Sequence, residues 1–292
     1  MNYDNFVTEA IEKKRSLPNV DRLISDGALT AHMHSWCGDP DSKEMTLGNI
    51  LGQRRGFAVA DSLERQLALL AALINPDRTR QFCAGILNDS GHFRHTRAEL
   101  ALAYAFVRQG HQVELAFEMP PENEEQRANS RKRKDIDILV KMGGEPRHVE
   151  VLSLKTRRLG NSGDVPPRAS LLPSAAHARE NEAAGSSCLF DAPSAEKLLR
   201  AKIKNKYRDK FKVAVENGWP GAPWIALNFA ENDAMLIGSS AQDVADRPRW
   251  AESVARVACD ECPALRGVVL FTYLGYAETA DNVWWVPAEG AV

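Results

Sequence analysis

Three acidic residues have the type and setting for cation chemistry. Two of them, Asp137 and Glu150, lie in the stretch KDIDILVKMGGEPRHVEVLSLK, Lys134 to Lys155. Ile136, Ile138 and Val140 alternate with Asp135, Asp137 and Leu139, the period of a strand. Gly143-Gly144 with Pro146 marks a turn, and alternation resumes from His148 to Leu154. The spacing predicts a β-hairpin with one acid on each arm. Glu150 shares its predicted face with Leu152 and Leu154. A carboxylate there is costly unless it is paired or holds a cation. Two such acids can supply oxygens to Mg2+, which takes one or two carboxylates and fills its other positions with water and substrate phosphate. On these residues alone, a pair of edge acids held in salt bridges fits equally well.

The third acid, Glu99, falls in RHTRAELALAYAFVRQGHQVELAF. Thr96 reads as an N-cap and Gly110 as the stop of a helix that is apolar on nearly every side, hence buried. Glu99 sits in its first turn, aligned with Leu102, Ala103 and Phe106. It can favour the positive helix end or project into a polar site at the sheet. His92 and His95, in the polar link before this helix, read as capping or solvent-facing groups. His32, His34 and Cys37 read as scattered polar residues of a loop. The lone CxxC of Cys259 and Cys262 lacks the second pair a zinc site needs.

Positive charge is clustered near the acids. Arg131, Lys132, Arg133 and Lys134 run directly into Asp135 and Asp137. A charge run is ordinarily a solvated loop, but beside a metal site it would grip a phosphate backbone. Residues 156–193 lose periodicity and carry Arg157, Arg158, Arg168 and Arg179. That length suits a disordered segment, a lid or a flap on nucleic acid. The helix expected in SAEKLLRAKIKNKYRDKFKVAVENG carries an apolar stripe of Leu198, Leu199, Ile203, Tyr207 and Phe211. Lys202 and Lys206, one turn apart, flank that stripe and can reach a site on the sheet.

The elements that must position these groups follow in order. An amphipathic helix is expected over residues 1–15, ended by Pro18, and 25–60 lacks clear periodicity. Helices are expected from Ser62 to Ile74 and from Arg78 to Leu87, then the apolar helix and a strand at Val113 to Phe117. After the hairpin and the lysine-rich helix come a core strand at Pro223 to Phe229 and a helix at Asp243 to Val257 interrupted by Pro248. Strands at Leu265 to Leu274 and Val283 to Val286 close the chain. This divides into a mostly helical extension over 1–92 and an α/β core over 93–292. The 292 residues include 37 basic and 39 acidic ones, for a net charge of −2, which excludes a global polycation. Five cysteines, Cys37, Cys83 and Cys188 scattered and Cys259 and Cys262 in the lone CxxC, suit a reducing compartment. With no apolar signal core and no membrane-length apolar run, a cytoplasmic protein without membrane contact is expected. No Walker loop, Rossmann glycine fingerprint or GxSxG elbow occurs.

A helix with Glu99, a strand, Asp137 in DIDILV, Glu150 in HVEVLSL, then KIKNKYRDKF and PWIALN: this order resembles the PD-(D/E)xK nuclease superfamily over about Arg94 to Leu274. Each motif is short, and the order and apolar context carry the likeness. The resemblance implies a restriction-endonuclease-like core, a central mixed β-sheet flanked by helices. It implies Glu99, Asp137 and Glu150 as ligands of Mg2+, or Mn2+, in a metal-dependent nuclease acting on DNA in restriction, repair or defence. A homodimer or a partner protein would accompany double-strand cleavage. One position departs: the family lysine two residues after the second acid is Leu152 here. Some members supply the lysine from the following helix, which implies Lys202 or Lys206. A catalytically impaired nuclease fold that binds nucleic acid or protein is the alternative that Leu152 favours.

Overall fold

The computed structural model describes residues 2–37, 45–53, 56–74, 78–118, 135–152, 199–216, 221–228, 241–273, 275 and 277–288. The chain forms two compact units, Met1–Val151 with Tyr273–Asp281, and Leu152–Thr272 with Asn282–Val292. Their division falls after Val151. The class is α/β, with six strands in one mixed sheet that keeps chain order.

The first unit opens with helices α1 (Tyr3–Arg15), α2 (Pro18–Leu23), α3 (Asp26–Trp36), α4 (Leu47–Gly52), α5 (Phe57–Leu70) and α6 (Thr79–Ile86). Pro18 begins α2 at its first turn, where a missing N–H costs nothing. In α3, Ser25 caps the start through the Ala28 N–H, and Leu29 and Met33, one turn apart, are fully buried.

Helix α7 (Ser90–Arg108) starts a turn and a half before Thr96. Its N-cap is Asp89, whose Oδ1 accepts the Gly91 and His92 N–H groups, each at 2.8 Å. The His92 N–H, first among several causes, holds the Asp89 carboxyl below its ordinary range. Thr96 is instead buried in mid-helix. Leu100, Ala101, Leu102, Ala103 and Phe106 are fully buried, so α7 is enclosed on several sides.

Strands β1 (Gln112–Glu118), β2 (Asp135–Met142) and β3 (Glu145–Leu152) form an antiparallel meander. The β2–β3 loop has two residues, Gly143 and Gly144, at φ 59° and 87°, between the paired Met142 and Glu145. Two positive φ angles give the twist a two-residue hairpin needs, and glycine reaches both without strain. From His148 to Leu152 every residue of β3 is buried, so both faces of the strand are covered.

In the second unit a helix over 199–216 contains a π-helical turn at Ile203–Tyr207, followed by the α-helical turns of α8 (Arg208–Glu216). Strands β4 (Ala222–Asn228) and β5 (Gly267–Thr272) pair in parallel. The connection between them contains α9 (Ala241–Glu261), which runs through Pro248 without interruption. Strand β6 (Asp281–Pro287) brings Trp285 edge-on to Trp224, with ring centroids 4.9 Å apart. A Cβ on Gly267 would stand 2.2 Å from the Val286 carbonyl, so only glycine fits that approach. No helix among the described residues is long and apolar enough to cross a membrane.

Candidate metal centre

Extending α7 back to Asp89 places His95 inside the helix, one turn before Glu99. Residues four apart lie on one helix face. The His95 Nε2 stands 3.0 Å from the Glu99 Oε1, both side chains only partly exposed. Asp137 faces them from β2. One ligand atom each of His95, Glu99 and Asp137 lies within 4.8 Å of the other two, close enough to share one cation.

The strands on either side hold Asp137 in place. From β3, the Val151 N–H donates to the Asp137 Oδ2 at 2.8 Å. On the β1 side, paired residues run from Gln112–Lys141 to Leu115–Ile138 and resume at Phe117–Ile136. The interruption is Ala116, at φ 52°, level with Asp137. A left-handed alanine costs of order 1–2 kcal/mol, and such strain persists where the surroundings impose it.

Glu99 and Asp137 open onto a cavity of about 190 Å³. Glu99 and Thr96 line it from α7, Leu115 and Ala116 from β1, and Asp137 from β2. Its remaining wall is formed by Arg78, just before α6, and by Phe82 and Gly85 on one face of α6. A Cβ on Gly85 would meet the Thr96 Oγ1 at 2.6 Å, so the glycine lets α6 approach α7 closely. Arg78 is 4% exposed and is the cation of this lining.

Comparison with protein-family models, with curated proteins and with solved structures finds no match for this chain. The chemistry of the centre therefore rests on its own residues. Two carboxylates and an imidazole are donors that a divalent cation of the first transition row accepts readily.

The sequence-predicted residues fall into three groups. Glu99 and Asp137 share the cavity. Glu150 is on β3, 2% exposed, one position past the Ile138–Val149 pair, and is not in the three-ligand group. Lys202 is half-buried on the second unit's helix. The side chain of Lys206, and all of Arg131, Lys132, Arg133, Lys134, Arg157 and Arg158, lie outside the described residues. Sequence reading took His95 for a capping or solvent-facing group and did not single out Arg78. The spacing of four to Glu99 was the available signal for His95, hidden by placing the helix start at Thr96. Arg78 reaches the cavity only through the packing of α6 against α7, and no local pattern carries that.

Proposed function

We propose that this chain is a metal-dependent nuclease, with the sheet and its helices forming a restriction-endonuclease-like core. The observation that carries the reading is the convergence of His95, Glu99 and Asp137 from a buried helix and a central hairpin to within reach of one cation, with Glu99 and Asp137 lining the adjoining cavity. Such a donor set fits Mn2+ or Mg2+. Bound there, a divalent cation lowers the pKa of a bound water and stabilises charge on a departing phosphate-ester oxygen. His95 and Glu99 present their donors from a rigid helix. Asp137 is oriented by the Val151 N–H, which fixes one oxygen and leaves the carboxylate its further acceptor capacity. The substrate is DNA on this reading, and the basic runs at Arg131–Lys134 and Arg157–Arg158 in the sequence are the candidates for holding its phosphates.

The test is cleavage of plasmid and single-stranded DNA with Mn2+ or Mg2+. Wild type is compared with Asp137→Asn, which keeps an acceptor for Val151 and removes the charge, and with Glu150→Gln. Metal-dependent cleavage that Asp137→Asn abolishes supports the reading. Absence of cleavage with either metal sinks it and favours the binding-only alternative suggested by Leu152, a core residue at 2% exposure. The Glu150 variant decides whether that acid acts in the reaction or in the core.

A further inference from the structure

The chain between β5 and β6 belongs to the first unit over Tyr273–Asp281. Within it, residues 277–280 form a strap across α5 and α7. On α5, the Gln66 Nε2 donates to the Glu278 carbonyl at 2.5 Å, and Arg65 pairs with the Glu278 carboxylate. On α7, the Ala280 N–H donates to the Ala101 carbonyl at 3.0 Å, and the Arg97 Nη2 donates to the Ala277 carbonyl at 3.3 Å. Arg97 stands two positions from both His95 and Glu99, about 200° around the helix. The strap and the candidate ligands therefore use opposite faces of α7.

The contact at Arg97 is poorly matched. Its side chain is fully buried, yet Ala277, whose carbonyl it holds, is exposed. The Nη2 also donates to the Ser62 Oγ at 2.6 Å, and the guanidinium lies 5.9 Å from the centroid of the Tyr273 ring. Nε and Nη1 have no hydrogen-bond partner. Donors of a charged fork held out of water without acceptors are costly. Burial accordingly pushes the guanidinium pKa down. Lifting the strap admits water to these donors. The charge beneath the strap thus favours opening, while the bonds to Gln66, Arg65 and Ala101 favour closure.

We propose that the 277–280 strap is a latch on the metal-bearing helix. Shut, it holds α7 so that His95 and Glu99 present their donors together; the cation holds it shut in turn, and the buried Arg97 charge is its release. This rests on the metal-centre reading above. Coupling of this kind is reciprocal. If only the shut state binds the cation, Mn2+ at a hundred times its Kd lowers the open population about a hundredfold.

Amide hydrogen exchange on the full chain tests it, without turnover, with the Mn2+ Kd taken from calorimetry. In wild type, Mn2+ at a hundred times its Kd should slow exchange in the strap peptide about tenfold or more. Helix α3, which carries no candidate ligand and no bond to the strap, should slow much less. Without Mn2+, Gln66→Leu should speed strap exchange about two- to tenfold, the scale of one hydrogen bond. Arg97→Met should slow it, because an apolar side chain in place of a poorly matched buried charge is often stabilising. Strap exchange slowed no more than that of α3 overturns the coupling and leaves the metal centre standing. Unchanged exchange in Gln66→Leu overturns the latch. An Arg97→Met that speeds exchange, or fails to fold, makes Arg97 a clasp and overturns its role as the release. A wild type that does not bind Mn2+ overturns the metal centre itself, and this inference with it.

Discussion

Replacing His95 with alanine tests the centre without assuming any reaction. A ligand that binds only the folded state stabilises it by about 2.7 kcal/mol when its concentration is a hundred times the Kd. For a domain of roughly 150–250 residues, 1 kcal/mol moves Tm by about 2–4 °C. Mn2+ at that concentration should therefore raise the wild-type Tm by about 5–11 °C. Groups that merely orient a metal ligand contribute roughly 10- to 100-fold to affinity. One direct ligand out of three should reach the upper end of that range. At the same Mn2+ concentration, a 100-fold weaker site gains only about 0.4 kcal/mol, roughly 1–2 °C. Each protein is compared with its own metal-free melt. This removes the partly exposed His95–Glu99 pair, worth no more than about 1 kcal/mol, from the comparison. His92→Ala is the control: its ring lies 3.1 Å from Asp89 on the same helix, is largely exposed, and is outside the ligand group. The assay is differential scanning calorimetry with and without Mn2+, repeated with Mg2+, which should shift Tm less. A full Mn2+ shift in His95→Ala, or its loss in His92→Ala, refutes the assignment.

Three further outcomes follow from local geometry. His32 is 3% exposed and its Nε2 accepts the Gly48 N–H at 3.2 Å, so the ring is neutral with its proton on Nδ1. Burial pushes its pKa below the ordinary value. The unfolded chain then takes the proton first as pH falls, so the stabilisation present above the unfolded pKa is lost as pH drops toward the folded one; urea midpoints at pH 7.5 and 5.5 should differ less in His32→Gln than in wild type. Ala116→Gly, at φ 52°, should leave stability unchanged or raise it by up to about 1 kcal/mol in urea titration, whereas the same change in an unstrained strand position loses about that much. In Gly85→Ala, overpacking against the Thr96 Oγ1 costs about 1–3 kcal/mol and helix propensity returns about 1, for a net loss that Thr96→Ala should largely restore in the double variant.

Elements with a strong local period were legible. The hairpin was readable because Gly143-Gly144 admits the two positive φ angles and the flanking residues alternate. The apolar helix was readable from Leu100 to Phe106, but its start was not. Asp89 satisfies two N–H groups and carries the helix across Gly91 and His92, which read as link residues. That error hid His95. The segment over 25–60 lacked a pattern because α4 is buried on every side, with Gly48, Asn49 and Gly52 as buried as Leu47, Ile50 and Leu51, so no apolar face stands out in the sequence. Pro248 failed to break α9, a case of tertiary context overriding propensity. The face sharing expected of Glu150 with Leu152 matched their common burial, but the opposite face is buried as well, so alternation alone carried little information there.

The position of Glu150 bears on how such a centre can be assembled. The family order places the second acid on β3, yet here the contribution of β3 beside Asp137 is the backbone N–H of Val151. A main-chain donor fixes the carboxylate whatever side chain Val151 carries, so β3 can orient Asp137 without supplying a ligand. Helix α7, in turn, offers two donors one turn apart, and a buried helix holds its side chains more rigidly than a strand end or a loop. On the proposed reading, the order of acids along the chain is kept while the third ligand moves from β3 to α7. The two sites of substitution then separate by experiment: Glu150→Gln should lower stability with Mn2+ affinity retained, whereas His95→Ala should lose Mn2+ affinity at little cost to the metal-free fold. The reverse pattern would return the ligand to β3.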